Sequence, residues 1–262
     1  MTTVGIVTLS PEGAVIARRA ASALTGATLY VHESVGVAMA DAVRFIHVAE
    51  LTASLFKRHD GIVYIAPCGV AVRAIAPHLE HKLLDPAVVV VDVGGRHAVS
   101  LLSGHEGGAN RLAVAVANAI GAEPVISTTT EARKTIIVGV GCRKRAPESA
   151  IVDAVERHLD RMGLALGQVR LMATADVKRG EPGLLAAADA LDVPLVFIPS
   201  ERIIAFGGAF EASPLVLRSV GLPAVAEPAC MLAGKNTVLI LRKKRCNGVT
   251  IAMARESCMW SA

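Results

Sequence analysis

Short, almost uninterrupted apolar runs alternate with helix-like segments, and this alternation constrains the fold more than any other feature of the chain. In the first half the runs are Val4–Ser10, Ala27–Val31, Gly61–Pro67 and Ala87–Val93. Strands of a parallel sheet are buried on both faces, so they are apolar throughout, and each needs a crossover before the next. The order therefore predicts an α/β fold with mainly parallel sheets flanked by helices.

Polar residues interrupt this pattern near the middle of the chain and divide it into two predicted domains. The interruption is Thr128–Thr135 ("TTTEARKT"), which places the domains at residues 1–132 and 135–262. In the first domain we predict helices from Pro11, over Ala42–Arg58 and over Gly107–Ile120. The second domain starts with a strand and a helix. It ends in two strands joined by Asn247-Gly248, which predicts a C-terminal β-hairpin.

The composition favours a protein that neither crosses a membrane nor depends on disulfides. Hydrophobic residues make up 53% of the chain and the mean hydropathy is +0.51. No window, however, reaches the run of about 18 apolar residues that a transmembrane helix needs. The N-terminus lacks the basic and apolar regions of a signal peptide. Five cysteines without a CxxC pair predict free thiols in a reducing cytoplasm.

The charge of the chain narrows the class of ligand. The formal net charge is +4, and basic residues are dispersed except for Arg242–Arg245 ("RKKR"), which we interpret as a solvated strand end. Two tyrosines and one tryptophan offer few platforms on which single-stranded nucleic acid could stack. A small polyanionic ligand is therefore expected, and no nucleic acid.

The stretch Leu101–Asn110 ("LLSGHEGGAN") follows an apolar run and holds more glycine than a simple turn requires. A helix that starts at about Gly107 would present unpaired N–H groups and the positive end of its dipole. Gly104, Gly107 and Gly108 would let a ligand approach the backbone closely. Such a site accepts a carboxylate, a phosphate or an oxyanion that forms during a reaction.

Polar side chains in the same stretch could act on such a ligand. A histidine normally titrates near neutral pH, so His105 could carry a proton. Ser103 and Asn110 could hydrogen-bond to substrate or water, and Glu106 is a second potential base. The alternative is structural: Ser103 caps the helix, the glycines form the turn, and His105 bonds to a backbone carbonyl.

A second glycine motif, Gly139–Cys142 ("GVGC"), follows a predicted strand and precedes a predicted helix. It resembles the start of a dinucleotide-binding fingerprint, but Lys144 stands where the third glycine belongs. A tight strand-to-helix turn is the preferred interpretation. A nucleotide-dependent enzyme stays open as a rival function.

Motifs of unusual length stand at intervals along nearly the whole chain. The first half contains "GVAVRAIAP", "DPAVVVVD" and "LLSGHEGGAN", and the second contains "VGVGCRK", "ATADVKRGEPGL", "VPLVFIP" and "VAEPACMLAG". Together they resemble the CbiG family of cobalamin biosynthesis, whose C-terminal domain is related to the small corrinoid-pathway protein CobE. The chain departs from the family's pattern at Glu106 and in "TTTEA", and the second departure removes support for a role of Glu131.

The resemblance implies a cytoplasmic enzyme of anaerobic vitamin B12 biosynthesis, a cobalt-precorrin-5A hydrolase. The family hydrolyses the ring A δ-lactone of a cobalt-bearing tetrapyrrole, releases acetaldehyde and forms cobalt-precorrin-5B. It implies no organic cofactor, because the cobalt belongs to the substrate. Neighbouring enzymes of the cobalamin pathway are the implied partners. A non-catalytic protein that binds or carries corrinoid intermediates is the rival class.

The resemblance favours a functional interpretation of the glycine-rich stretch over the structural alternative. His105 is the expected acid–base group, with Ser103 and Asn110 beside it. Neither a GxSxG motif nor a Cys–His motif supplies a nucleophile, so direct attack by water is the simplest mechanism.

Two lone cations match motif positions of the family and are expected to anchor substrate carboxylates. They are Arg73 and Lys178. The alternative for such a cation is an ion pair with an acid such as Asp176 or Glu181. The complete set of expected substrate-binding residues is Gly104, Gly107, Gly108, Arg73, Gly141, Thr174, Lys178 and Glu181.

Overall fold

The computed structural model describes residues 3–36, 39, 41–207, 210, 217–218 and 221–257, and the chain forms two compact units, Met1–Thr128 and Thr129–Ala262. Each unit has its own sheet with helices packed on it, so the predicted α/β class is confirmed. No described helix combines the length and the apolar character that crossing a membrane would need. Cys258 lies outside the described residues, and the other four cysteines are free thiols.

Seven described strands form the sheet of the first unit. They are β1 Val4–Thr8, β2 Ala27–His32, β3 Val43–Phe45, β4 Gly61–Ile65, β5 Ala87–Val91, β6 His97–Leu102 and β7 Glu123–Val125. The helices are α1 Pro11–Ala23, α2 Val48–Arg58, α3 Cys68–Ile75 and α4 Ala109–Ile120. The strand order is β3-β2-β1-β4-β5-β6-β7, and every pair is parallel except β5 with β6.

Of the helices predicted in the first domain, one starts where expected and another is shorter than expected. Helix α1 starts at Pro11 as expected, because the Ser10 hydroxyl accepts a hydrogen bond from the Gly13 N–H at 3.1 Å. The helix predicted over Ala42–Arg58 is wrong in its first part, since Val43–Phe45 forms a short edge strand beside β2. β-Branched and aromatic residues suit a strand, and pairing with β2 outweighed the helical spacing.

Strand β6 runs antiparallel to β5, and this reversal decides where the glycine-rich stretch lies. The connection Asp92–Arg96 has only five residues, too few for the crossover that a parallel return needs. The Asp92 carboxylate accepts three backbone N–H groups of this segment and its neighbour at 2.8 to 3.0 Å. The pairing of Val88 with Leu102 then puts the end of β6 at the edge of the sheet where β4 and β5 begin.

The second unit has a mixed five-stranded sheet. Its strands are β8 Ile136–Cys142, β9 Val169–Ala175, β10 Leu195–Ile198, β11 Thr237–Cys246 and β12 Val249–Glu256. Its described helices are α5 Thr129–Ala132, α6 Glu148–Arg161, α7 Pro182–Ala190, α8 Ser200–Ala205 and α9 Ala226–Leu232. The order is β10-β9-β8-β12-β11, with β8, β9 and β10 parallel. The predicted hairpin is confirmed: β11 and β12 are antiparallel and meet at Asn247-Gly248, both with positive φ.

The motif Gly139–Cys142 is not a turn, because all four residues lie within β8. The interpretation as a strand-to-helix turn is therefore wrong, and α6 begins only at Glu148. A Cβ atom at Gly139 would stand 1.9 Å from the carbonyl oxygen of Ala226. The glycine is thus required where the start of α9 crosses the strand, and the motif gives no support to a nucleotide site.

Candidate functional site

The residues Ser103–Gly108, here called the polar turn, follow β6 and lie at the edge where β4 and β5 begin. The Ser103 hydroxyl donates to the carbonyl oxygen of Asp85, two residues before β5, at 3.0 Å. Ligands of doubly wound sheets usually bind at the carboxyl ends of the strands. Because β6 is antiparallel, the polar turn occupies the opposite edge from the carboxyl ends of β4 and β5.

Two of the predicted catalytic side chains fix the polar turn. Ser103 and Asn110 are both buried. Ser103 has a φ of +57°, which is unusual for a residue other than glycine. The Asn110 side chain accepts from the Ser100 hydroxyl at 2.8 Å and donates to the Thr128 hydroxyl at 3.1 Å. Their polar atoms are engaged within the protein, so both residues have a structural role. The predicted cap by Ser103 is wrong, however, because its hydroxyl bonds to Asp85 and helix α4 has no side-chain cap.

Helix α4 begins at Ala109, two residues later than predicted, and its first amides are already bonded. The Ala109 N–H donates to the carbonyl oxygen of Ser103 at 3.1 Å. The Asn110 N–H donates to that of Gly104 at 2.9 Å. The prediction that free amides of the helix face a ligand is therefore wrong for these two groups.

The unpaired amides lie one step earlier, in the polar turn itself. The N–H groups of His105, Gly107 and Gly108 form no hydrogen bond with any residue that the structure describes. Gly108 has a φ of +85°, a left-handed conformation that reverses the chain into the helix. Successive N–H groups in such turns form concavities that bind anions. The predicted ability to hold an oxyanion thus belongs to the turn and not to the helix.

The glycines of the polar turn have packing reasons of their own. A Cβ atom at Gly104 would stand 2.6 Å from the Thr128 methyl group, and one at Gly107 would stand 2.4 Å from the Ser103 Cβ. Gly108 meets nothing within 4 Å, so only its positive φ requires glycine there. The turn is folded tightly on itself, and its glycines are explained without a ligand.

His105 and Glu106 project from the polar turn and are exposed. The Glu106 carboxylate accepts from the Lys82 ammonium at 2.9 Å, and this bond holds the pKa of Glu106 below its usual range. The imidazole of His105 forms no hydrogen bond with a described residue. Of the two potential bases, Glu106 is therefore engaged by a cation, and His105 is available to a ligand.

An open cleft of about 400 Å³ lies beside the polar turn, with Gly107 in its wall. The rest of its wall comes from the end of α2 and the segments that precede β4 and β5. These residues are Phe56, Lys57, Arg58, His59, Asp60, Leu84, Asp85 and Pro86. The wall combines apolar surface with both signs of charge, so it could receive a ligand whose reacting group faces the turn.

His59 is a residue of this cleft that the sequence analysis missed. Its Nε2 lies 2.9 Å from the Tyr30 hydroxyl, and its Nδ1 is buried without a partner among the described residues. Burial lowers the pKa of His59, and the nearby Asp60 only partly opposes this. No motif in the sequence indicated His59, because it is a single histidine in the short connection between α2 and β4.

Arg73, the first predicted anchor, lies at the other edge of the same sheet. It is exposed on α3, which follows the carboxyl end of β4, and its guanidinium donates to the Gly69 carbonyl at 3.0 Å. It forms no ion pair with a described acid. The structure therefore leaves its charge available but does not bring it together with His105.

The second unit gathers its predicted residues at the carboxyl ends of β8 and β9. Lys178 and Glu181 are both largely buried and lie 3.4 Å apart, so the ion-pair alternative for Lys178 is the one observed. The other carboxylate oxygen of Glu181 accepts from the Arg145 N–H at 2.8 Å. Burial raises the pKa of the neighbouring Cys142 thiol, and Lys178 only partly opposes this. Gly141 precedes Cys142 at the end of β8.

Thr174 lies at this same carboxyl edge, in β9. Its side chain is fully buried, and its hydroxyl has no hydrogen-bond partner among the described residues. Thr174 follows Met172 by two positions, so both face the layer of α6 and α7, as does Cys142. A buried hydroxyl without a partner costs about 1–3 kcal/mol, which marks this edge as a place where a further polar group would stabilise the protein.

We expect Glu181→Gln to destabilise the second unit by about 1 kcal/mol at pH 7, since a charged acceptor of two bonds is lost. Burial alone would raise the pKa of Glu181, but the Arg145 N–H and Lys178 outweigh it, and the pKa lies below its ordinary 4.5. The Glu181 carboxylate therefore stabilises the folded unit fully above about pH 4.5, the pKa of the unfolded chain. This stabilisation is lost as the pH falls through the lower pKa that Glu181 has in the folded protein.

Urea unfolding at a series of pH values measures this effect. The difference between wild type and Glu181→Gln should shrink on acidification, whereas the exposed Glu156→Gln should differ little from wild type throughout. A difference that stays constant from pH 7 to pH 3 would contradict the assignment.

Comparison with known proteins identifies relatives over both units. The family described as cobalamin synthesis G N-terminal matches residues 50–131, and cobalamin synthesis G C-terminus matches residues 136–254. Cobalt-precorrin-5A hydrolase of Salmonella typhimurium is 25% identical over 78% of this chain and 84% of that protein. The hydrolase of Priestia megaterium is 25% identical over 79% and 81%. Protein CobE of a Sinorhizobium species is 34% identical over 48% of this chain and 83% of its own length.

These matches agree with the motifs quoted from the sequence. The N-terminal match contains "GVAVRAIAP" and the polar turn, and the C-terminal match contains "VGVGCRK" and "ATADVKRGEPGL". The resemblance inferred from those motifs is confirmed, and the chain belongs to the CbiG family of cobalamin biosynthesis.

Proposed function

We propose that the chain is a cobalt-precorrin-5A hydrolase, which opens the ring A δ-lactone with water and releases acetaldehyde to give cobalt-precorrin-5B. One observation supports this above the others: the likeness to proteins of that name runs through both units, over 78% and 79% of the chain. CobE matches only 48% of the chain. A match over 78% of the chain is longer than either unit, so the hydrolases also match the unit that carries the polar turn.

The polar turn supplies what lactone hydrolysis requires. Water adds to the lactone carbonyl, and the carbonyl oxygen becomes an oxyanion that the unpaired N–H groups of Gly107 and Gly108 can stabilise. His105 takes the proton of the attacking water and returns one to the ring oxygen as the C–O bond breaks. The freed C20 alcohol then forms the carbonyl of acetaldehyde as its bond to the macrocycle breaks, and the macrocycle gains a proton.

The other predicted residues take supporting roles in this proposal. Ser103 and Asn110 hold the turn in place, as their internal hydrogen bonds favour. Arg73 is an anchor for a peripheral carboxylate of the substrate. Lys178 binds as a member of the pair with Glu181.

The proposed reaction needs no organic cofactor, and its cobalt arrives with the substrate. We place the enzyme in the cytoplasm, where the free thiols of the four described cysteines would persist. Neighbouring enzymes of the cobalamin pathway are candidate partners, because they must supply a cobalt-precorrin lactone and accept its opened product.

Anaerobic incubation with cobalt-precorrin-5A, followed by trapping of acetaldehyde, tests the proposal. We expect one equivalent of acetaldehyde for each equivalent of substrate consumed, with no nucleotide added. A non-catalytic corrinoid carrier would bind the substrate and release no acetaldehyde, and that result would reject the hydrolase.

A further inference from the structure

Two basic runs that lie about a hundred positions apart in the sequence meet at one edge of the second unit. Arg143–Arg145 follows Cys142 at the end of β8, and Lys244 and Arg245 lie near the end of β11. Cys142 pairs with Val249 of β12, which in turn pairs with Cys246 of β11. Neighbouring strands are about 4.8 Å apart, so the backbones of Cys142 and Cys246, which adjoin the two runs, are about 10 Å apart.

The first run is exposed and forms no ion pair with a described residue. Arg143, Lys144 and Arg145 are all exposed, and none forms an ion pair with an acidic side chain of the described residues. The acids nearest in the chain and sheet are Asp176, Glu181 and Glu148. Asp176 accepts from the Ser200 hydroxyl, Glu181 is paired with Lys178 and also interacts electrostatically with Lys144, and Glu148 is exposed at the start of α6.

The loop that displays these cations is held in one conformation. Arg145 has a φ of +56°, and its N–H is bonded to the Glu181 carboxylate. The start of α7 packs directly on the loop, since a Cβ atom at Gly183 would stand 2.0 Å from the Ala146 carbonyl oxygen. A surface ordered before binding loses less entropy when a ligand arrives.

This edge also contains Thr174, a predicted site residue whose hydroxyl has no hydrogen-bond partner in the described part of the chain. The hydroxyl of Thr174 is fully buried and unpaired among the described residues, and it lies on the same face of the sheet as Cys142. Buried polar groups of this kind are commonly completed by an internal water, so this end of the sheet has hydrogen-bonding capacity that the described residues do not use.

We propose that the edge formed by Arg143–Arg145 with Lys244 and Arg245 binds the peripheral carboxylates of a flat macrocyclic substrate. The inference rests on the proposed function for the identity of the macrocycle. Cations that are spread over two strand spacings, about 10 Å or more, match several carboxylates around one ring better than they match a single small anion. The proposal gives a binding role to two basic runs that the sequence analysis interpreted otherwise or left without a role, and Glu181 is the positioning residue of the loop.

The test compares binding of two stable cobalt corrins to the full chain by absorbance titration. One is cobyrinic acid, with free carboxylates on its side chains, and the other is its uncharged heptamethyl ester. The variant Arg143→Gln, Lys144→Gln, Arg145→Gln should bind the acid about tenfold more weakly than wild type, since each exposed charge contributes modestly. Binding of the ester should stay within about twofold, and added salt should weaken binding of the acid by wild type more than by the variant, which keeps only Lys244 and Arg245 of the edge.

A control variant removes the same number of positive charges from other parts of the surface. Arg18, Arg133 and Arg202 are exposed, and their combined replacement by glutamine should leave both affinities unchanged. The single variant Lys144→Gln, at the middle of the loop, gives a smaller loss of the same kind if the triple variant does not fold.

Several outcomes overturn the proposal. They are equal loss in the control variant, unchanged affinity of the loop variant for the acid, and no binding of the acid by wild type. A loop variant that loses affinity for an oligonucleotide but keeps it for the acid also overturns it. If wild type releases acetaldehyde but the loop variant binds cobyrinic acid as tightly as wild type does, this inference is rejected and the proposed function stands. If the loop charges are needed to bind cobyrinic acid but no acetaldehyde is released from cobalt-precorrin-5A, the proposed hydrolase is rejected and the binding edge stands.

Discussion

Replacing His105 with alanine is expected to slow acetaldehyde release by about 10²- to 10⁴-fold, the usual value of a general acid–base group. The expectation rests on position: His105 is exposed on the polar turn, next to the unpaired N–H groups and the open cleft. Its imidazole is not engaged by another described residue, whereas the Glu106 carboxylate is held by Lys82 at 2.9 Å. Glu106→Gln should therefore have a much smaller effect.

Two controls separate catalysis from folding. His47 is an exposed histidine of the same unit whose side chain does not cap its helix, so His47→Ala should keep wild-type turnover. His105→Ala should keep the wild-type unfolding transition and its affinity for the substrate. If it instead retains full turnover, His105 has only a structural role and the base must be sought elsewhere in the cleft.

Replacing Gly139 with alanine is expected to destabilise the second unit by about 3 kcal/mol or more. The new Cβ would stand 1.9 Å from the Ala226 carbonyl oxygen and 2.8 Å from its carbon, and backbone cannot move aside as a flexible side chain can. Helix α9 would have to lift away from β8, which would open the buried contacts of Ala229 and Cys230 with the sheet. Overpacking of this kind exceeds the usual cost of a core substitution.

Gly141→Ala is the matched control, because Gly141 lies two residues further along β8. Its Cβ would stand 3.6 Å from the Thr250 Cβ, an ordinary contact. Urea unfolding followed by circular dichroism should place Gly141→Ala within about 1 kcal/mol of wild type, since alanine suits a strand better than glycine. Equal stabilities of the two variants would show that α9 does not hold the position described for it.

The parts of the fold that depend on local pattern were predictable from the sequence. The apolar runs of β4 and β5 and the Asn247-Gly248 hairpin carry their signals within a few residues. The direction of β6 was not predicted, although the five residues of Asp92–Arg96 are too few for a crossover. Gly139 was misinterpreted because the helix that requires it lies almost ninety positions later in the chain.

The candidate site was predictable only where residues are close in the chain. The polar turn is recognisable as a compact glycine-rich segment, and its role in catalysis stays a prediction. The ion pair of Lys178 with Glu181, one of the two alternatives for Lys178, is observed. The separation of Arg73 from His105 depends on strand direction, and the meeting of Arg143–Arg145 with Lys244 depends on strand pairing. Neither relation is contained in the spacing of residues.

The central claim is that this chain opens the lactone by direct attack of water on its carbonyl, and one measurement tests it. Cobalt-precorrin-5A is converted anaerobically in ¹⁸O-labelled water, and the tetrapyrrole product is examined by mass spectrometry. Attack at the carbonyl predicts one labelled oxygen atom in the ring A acetate of the product, formed together with one equivalent of acetaldehyde. A product that carries no label in that acetate, or substrate that returns unchanged, would contradict the claim.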